Sequence, residues 1–168
     1  MGKAITRDDH YEADVATVFG VITDEKFVVA KYEALDMTDI SLLEHGPTAD
    51  GGWRTKSQRS AETKGIPDIA KKVFGSRQTI VQTEEWGPAA ADGTRQGTFL
   101  VETKGTPATV RGTSKLRPEG TGSVVEIRGE LKVGVPLIGG KIEGAVLPTV
   151  EDEMRKEHDF GVTWLAEA

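Results

Sequence analysis

The chain has 168 residues and a formal charge of −6, with 21 Lys and Arg against 27 Asp and Glu, so it carries no basic field to draw in a nucleic-acid backbone. It contains no cysteine, which excludes disulfides, thiolate nucleophiles and thiolate metal sites together and fits a reducing cytoplasm. No basic-and-apolar signal segment and no run of about eighteen apolar residues is visible, so the sequence reads as one cytoplasmic domain over 1–168 without an integral membrane segment.

In chain order, Ala4 to Tyr11 reads as a first strand. Asp14 then offers a side-chain oxygen to the free N–H groups of a helix carrying Val15, Val18, Phe19 and Ile22 at helical spacing. Asp24 caps a second short helix in the same way, with Phe27, Val28, Lys31, Tyr32 and Leu35 along one side. From there to Val133 the period changes to that of strands of about ten residues, broken at Gly46 to Gly52, Gly87 to Gly93, Gly105 and Gly120 to Gly122. The clearest alternation sets Val125, Ile127, Gly129, Leu131 and Val133 against Val124, Glu126, Arg128, Glu130 and Lys132, one face toward a core and one toward water. Phe99, Val101, Val110 and Leu116 face the same interior. The 20 glycines and 7 prolines suit many strands joined by tight turns. Between Thr63 and Gly75 the apolar residues Ile66, Pro67, Ile69, Ala70, Val73 and Phe74 follow no strand spacing, which fits either a crossover loop or a short helix or lid.

A long helix over Pro136 to Glu167 closes the chain, with Pro136 in its first turn and Ile138, Ile142, Val146, Val150, Phe160 and Trp164 on one broad face. Lys141, Glu151, Asp152, Arg155 and Asp159 occupy the other side. Pro148 cannot donate to the Gly144 carbonyl, so a bend is expected there. Gly139, Gly140 and Gly144 reflect either close approach of helix to sheet or a backbone opened toward a ligand.

The run Val135-Pro-Leu-Ile-Gly-Gly-Lys-Ile-Glu-Gly, followed by Thr163-Trp164-Leu165, resembles the C-terminal signature of the actinobacterial domain-of-unknown-function family 2505, within the START-like (SRPBCC, helix-grip) superfamily. Ile66-Pro67 before Phe74-Gly75, and then Thr83-Glu84-Glu85-Trp86, resemble the same family's middle. The resemblance implies an α+β helix-grip fold, with a curved antiparallel sheet of about seven strands wrapped around the C-terminal helix and two short helices after strand one. It implies a cavity and leaves function open, because the superfamily holds lipid carriers, receptors, polyketide cyclases and chaperone regulators.

The residues themselves exclude several chemistries. His10, His45 and His158 have no recognised ligand spacing and read as surface or rim residues, so no metal and no cofactor are expected. No Gly-x-Ser-x-Gly turn or phosphate loop occurs. At about 100° per residue Glu153 and Glu157 fall within the apolar stripe, where burial raises a carboxyl pKa, and Glu157 is the one candidate for a general acid or base. Arg59 and Arg111 are the candidate internal cations, Arg59 sharing a strand face with Trp53, Thr55, Ser57 and Ala61. Trp53, Phe74, Trp86, Phe99 and Trp164, with Ile142, Val146 and Val150, are the candidate apolar lining. The leading reading is a module that binds a hydrophobic or amphipathic small molecule, such as a lipid, isoprenoid or polyketide-like compound, gated by loops at Thr63 to Phe74 and Gly87 to Gly93. The alternatives are a cyclase or dehydratase using a cavity carboxylate, and a protein-interaction module whose cavity is filled by its own side chains.

Overall fold

In the computed structural model, which describes residues 2–168, the chain runs β1 (Lys3–Tyr11), α1 (Val15–Ile22), α2 (Glu25–Ala34), β2 (Thr38–Pro47), β3 (Trp53–Glu62), α3 (Asp68–Phe74), β4 (Arg77–Trp86), β5 (Arg95–Thr103), β6 (Ala108–Glu119), β7 (Gly122–Val133) and α4 (Gly139–Glu167). Both expected caps form. The Asp14 carboxylate accepts the Thr17 N–H at 2.8 Å and Asp24 accepts the Lys26 N–H at 3.0 Å, each satisfying a donor left free at a helix start. The segment between Thr63 and Gly75 contains a helix, α3, which lays Ile69, Val73 and Phe74 onto the apolar cluster beneath α4.

All neighbouring strands are antiparallel, in the order β1-β7-β6-β5-β4-β3-β2, so β1 closes beside the last strand while the others follow one another as a meander. The register aligns Phe99, Gly112, Gly129 and Ile5 across four strands. A Cβ at Gly112 would run into the Arg128 carbonyl oxygen, so the sheet coils there more tightly than a side chain allows. The Phe99 ring fills the space so left, its Cζ 3.0 Å from where a Gly129 Cβ would stand.

Two apolar clusters form on the concave face. One unites Ile5, Leu131 and Val133 with Ala70 of α3 and Ile142 and Val146 of α4; the other joins Val15 and Val18 of α1 to Trp86, Leu116 and Val125. Burying each large aliphatic side chain contributes about 1.5–3 kcal/mol. No helix among the described residues is long and apolar enough to cross a membrane.

The structure corrects three expectations. Pro136 does not open the last helix: Leu137 has φ 69°, a left-handed backbone through which an α-helix cannot run, so α4 starts at Gly139 after a turn closed by the Gly139 N–H on the Val135 carbonyl at 2.9 Å. Ile138 is consequently 39% exposed and does not join the buried stripe. Val124, expected to face water, is fully buried; its neighbours on that face are His10 and Arg117, whose ion pairs with Glu119 and Glu126 hold long side chains around it. The glycines near the start of α4 divide by position. A Cβ at Gly139 would run into the Val133 carbonyl, which is close approach of helix to sheet, whereas Gly144 lies away from the concave interior with only Lys3 Cε nearby.

Candidate functional site

The concave face of the sheet and the second half of α4 enclose a cavity of about 670 Å³, within the usual range for small-molecule sites. Side chains of both apolar clusters, among them Ile66, Trp86, Val125, Leu131 and Val146, form its walls. Strand alternation then brings a polar stripe inward. Inner positions of β3 carry Trp53, Thr55 and Arg59, those of β4 carry Ile80, Gln82, Glu84 and Trp86, and Phe99 pairs with Glu84 from β5.

Arg59 is 5% exposed and is held without a carboxylate. Its guanidinium carbon stands 4.0 Å from the centre of the Tyr32 ring, Nη2 donates to Gln82 Oε1 at 3.0 Å, and Nε donates to the Met37 sulfur at 3.1 Å. The Tyr32 hydroxyl donates to the same Gln82 oxygen at 3.4 Å. Nη1 is buried with no partner, and no Asp or Glu among the described residues stands within ion-pair distance of this cation, whose charge reaches the Glu84 and Glu153 carboxyls only through space. A buried charge so placed is uncommon unless a counter-ion arrives from elsewhere.

Beside it Lys31 Nζ meets Glu157 Oε1 at 3.1 Å and lies 4.7 Å from the Tyr32 ring centre. Burial alone would lower the Lys31 pKa, but its interactions with the Tyr32 phenol oxygen and with the Glu157 and Glu84 carboxyls outweigh burial and push it upward. The Glu84 carboxyl is raised by burial, against the pull of Lys31 and with the push of Glu157. It nevertheless keeps some accessible surface, because it faces the cavity. Burial likewise raises Glu153, whose Oε2 has no partner, although Lys156 opposes the shift. The Tyr11 phenol is raised by burial and by the Asp9 charge. His158 donates from Nε2 to the His10 carbonyl at 2.9 Å and sets its ring edge-on to Tyr11 at 4.9 Å. The arrangement offers an apolar body site, one cation with a free donor, and a carboxyl held toward its neutral form. Among the described residues no three His, Asp or Glu side chains are grouped to hold a metal ion.

Of the residues singled out from sequence, Trp53, Arg59, Phe74, Trp86, Phe99, Val146, Val150, Glu153 and Glu157 line this cavity. Three do not. Arg111 is exposed on the convex face, because the alternation that turns Val110 and Gly112 inward turns it outward. Ile142 is completely buried in the cluster against α3 and the sheet. Trp164 packs against Phe27 and Phe160, 5.5 Å and 5.9 Å between ring centres, and so fastens the end of α4 to α2. The Gly87 to Gly93 turn also stays off the cavity, with Gly93 against Val15 of α1, while Lys64, Gly65 and Ile66 reach it. Lys31, Tyr32, Gln82 and Glu84 were not singled out as site residues. The signals were present: Lys31 and Tyr32 fall in the stripe of α2, and Gln82 and Glu84 share strand parity with Trp86.

The comparisons with known proteins agree with this architecture. The chain matches the model of a family described as protein of unknown function (DUF2505) over residues 6–165, and it belongs to that family. An uncharacterised protein of Mycobacterium tuberculosis is 22% identical over 172 residues, covering 98% of each chain. Among solved structures, the Zhui aromatase/cyclase from Streptomyces sp. R1128 superposes with a TM-score of 0.62 at 11% identity, over 99% of this chain and 94% of that one. A Thalictrum norcoclaurine synthase point mutant in complex with a transition-state analogue superposes with a TM-score of 0.59 at 12% identity, over 99% and 96%. The fold is the START-like helix grip, a seven-stranded curved antiparallel sheet around a long C-terminal helix.

Proposed function

We propose that this member of the family binds an amphipathic small molecule of lipid, isoprenoid or polyketide-like character, in the cytoplasm, within the cavity between sheet and α4. Its apolar body would lie against Trp86, Phe99 and Ile127, and an anionic or carbonyl oxygen would take the free Nη1 of Arg59. The observation that carries the reading is a buried guanidinium on the wall of a cavity of about 670 Å³ with no acid paired to it. The absence of cysteine supports a reducing compartment.

The test uses parinaric acid, a fluorescent fatty acid, beside its uncharged methyl ester, titrated against the wild type and Arg59→Met. Replacing a buried unpaired charge by an apolar side chain of similar length leaves stability unchanged or higher. The acid should bind about tenfold more weakly to the variant, from loss of a charge-assisted hydrogen bond, and the ester equally well to both. Failure of the wild type to bind either probe, or equal binding of the acid by both proteins, overturns the reading.

One observation favours a second reading. Glu84 faces the cavity with its carboxyl pKa raised by burial, next to the Lys31–Glu157 pair, as an acid that donates a proton to a folded substrate would be held. In that cyclase or dehydratase reading Glu84 takes the role first assigned to Glu157. A polyketide-like compound recovered lighter by one water, or at the same mass with the altered ultraviolet spectrum of a closed ring, and unchanged with Glu84→Gln, would support it. The unfilled cavity weighs against a protein-interaction module packed by its own side chains.

A further inference from the structure

We propose that the turn between β7 and α4 is a membrane-docking tip, with Leu137 and Ile138 entering an anionic lipid surface and Lys3, Lys104, Lys132 and Lys141 meeting its headgroups. Leu137 is wholly exposed and held at φ 69°, a conformation that a leucine adopts only at a cost, and it gains no burial within the chain in return. Pro136 and Ile138 beside it are exposed too, so the turn presents an uninterrupted apolar point.

Positive groups lie closest to that point. Lys132 lies at the end of β7 and Lys141 in the first turn of α4. The Gly134 N–H donates to the Pro107 carbonyl at 2.7 Å, which ties the β5–β6 turn and its Lys104 alongside the tip. Lys3 runs along the start of α4, its Cε 3.8 Å from where a Gly144 Cβ would stand. All four lysines are exposed, and none pairs with an acid among the described residues. Glu143 is buried and accepts the Val133 N–H at 2.8 Å, and the exposed Glu130 and Glu102 stand farther back from the tip along β7 and β5, before Lys132 and Lys104. The cations of the second half of α4 behave differently: Arg155 holds Asp152 and Asp159, and Lys156 holds Asp152. In a chain of net charge −6, four unpaired ammonium groups around an exposed apolar point complement an anionic interface. A small apolar insertion with a few lysines gives reversible attachment that salt weakens.

The experiment is cosedimentation of the full chain with vesicles of phosphatidylglycerol and phosphatidylcholine in equal amounts, beside vesicles of phosphatidylcholine alone, at low and high salt. The wild type should sediment with the anionic vesicles at low salt, lose them at high salt, and stay free of the neutral ones. Leu137→Gly should lower the partition about tenfold, since it removes the inserted side chain. Its melting temperature should hold or rise, because glycine accepts the left-handed backbone. The double variant Lys132→Glu with Lys141→Glu should lose vesicle binding as well. Absence of wild-type sedimentation with anionic vesicles, or sedimentation unchanged by Leu137→Gly, overturns the proposal. So does self-association that Leu137→Gly abolishes without any vesicle binding, which would assign the tip to a second copy of the chain.

Discussion

The two halves of α4 share one helix and one inward face, yet they meet different surroundings. Before Pro148, Ile142 and Val146 are buried against β1, β7 and α3, and the one inward acid, Glu143, is consumed by a backbone N–H. After Pro148, Val150, Glu153, Met154 and Glu157 face the cavity; Glu157 meets Lys31, and Glu153 reaches Lys156 through Oε1 at 3.9 Å but leaves Oε2 without a partner. What differs is the opposite wall. The first half closes the grip by packing, and the second half is the wall of a container whose polar groups are only partly satisfied from within.

The sharpest way to break that contrast is Ile142→Ala. Loss of a completely buried isoleucine should cost about 3 kcal/mol in urea denaturation while probe affinity in the cavity stays unchanged. An affinity change would mean that the two halves are not separate. Next, Glu143→Ala should cost about 2 kcal/mol by leaving the Val133 N–H unpaired, whereas Glu143→Gln, which keeps an acceptor of the same length, should stay within about 0.5 kcal/mol of wild type. Equal costs would show that the hydrogen bond is not what matters there.

Glu84→Gln sharpens the contrast through pH. The folded state raises this carboxyl above its ordinary value of 4.5, chiefly by burial, so folding takes up a proton and the ionised group weakens the fold as pH rises. The variant should therefore be the more stable protein at neutral pH, with the difference fading as pH falls toward 4.5. A difference independent of pH would contradict the shift. The smallest effect belongs to Arg155→Ala on the solvent side, where the exposed pairs with Asp152 and Asp159 are screened by water and the urea midpoint should not move measurably; a clear drop would show that the solvent face matters to the fold.

The architecture was legible because local chemistry and global topology agree. Asp14 and Asp24 announce two helix starts, glycine-rich breaks separate the strands, and Val125 to Val133 alternate as an edge of the core must. The start of α4 was not legible, since nothing in Val135-Pro-Leu-Ile-Gly announces that a leucine takes φ 69°. The site was half legible. Apolar lining follows from parity and helical phase, which place Trp53, Trp86, Phe99 and Val146 on the cavity wall. Arg111 misled only where parity was not applied to it. The Lys31–Glu157 contact joins α2 to α4 across more than a hundred residues, and no local pattern encodes such a meeting.

Native mass spectrometry of the freshly purified protein beside a denatured sample shows most directly whether the cavity carries a ligand. A ligand-binding protein should appear as a complex heavier than the bare chain by one small molecule, released on denaturation and diminished in Arg59→Met. The bare chain mass in every preparation, together with tryptophan fluorescence that no apolar probe perturbs, would contradict ligand binding.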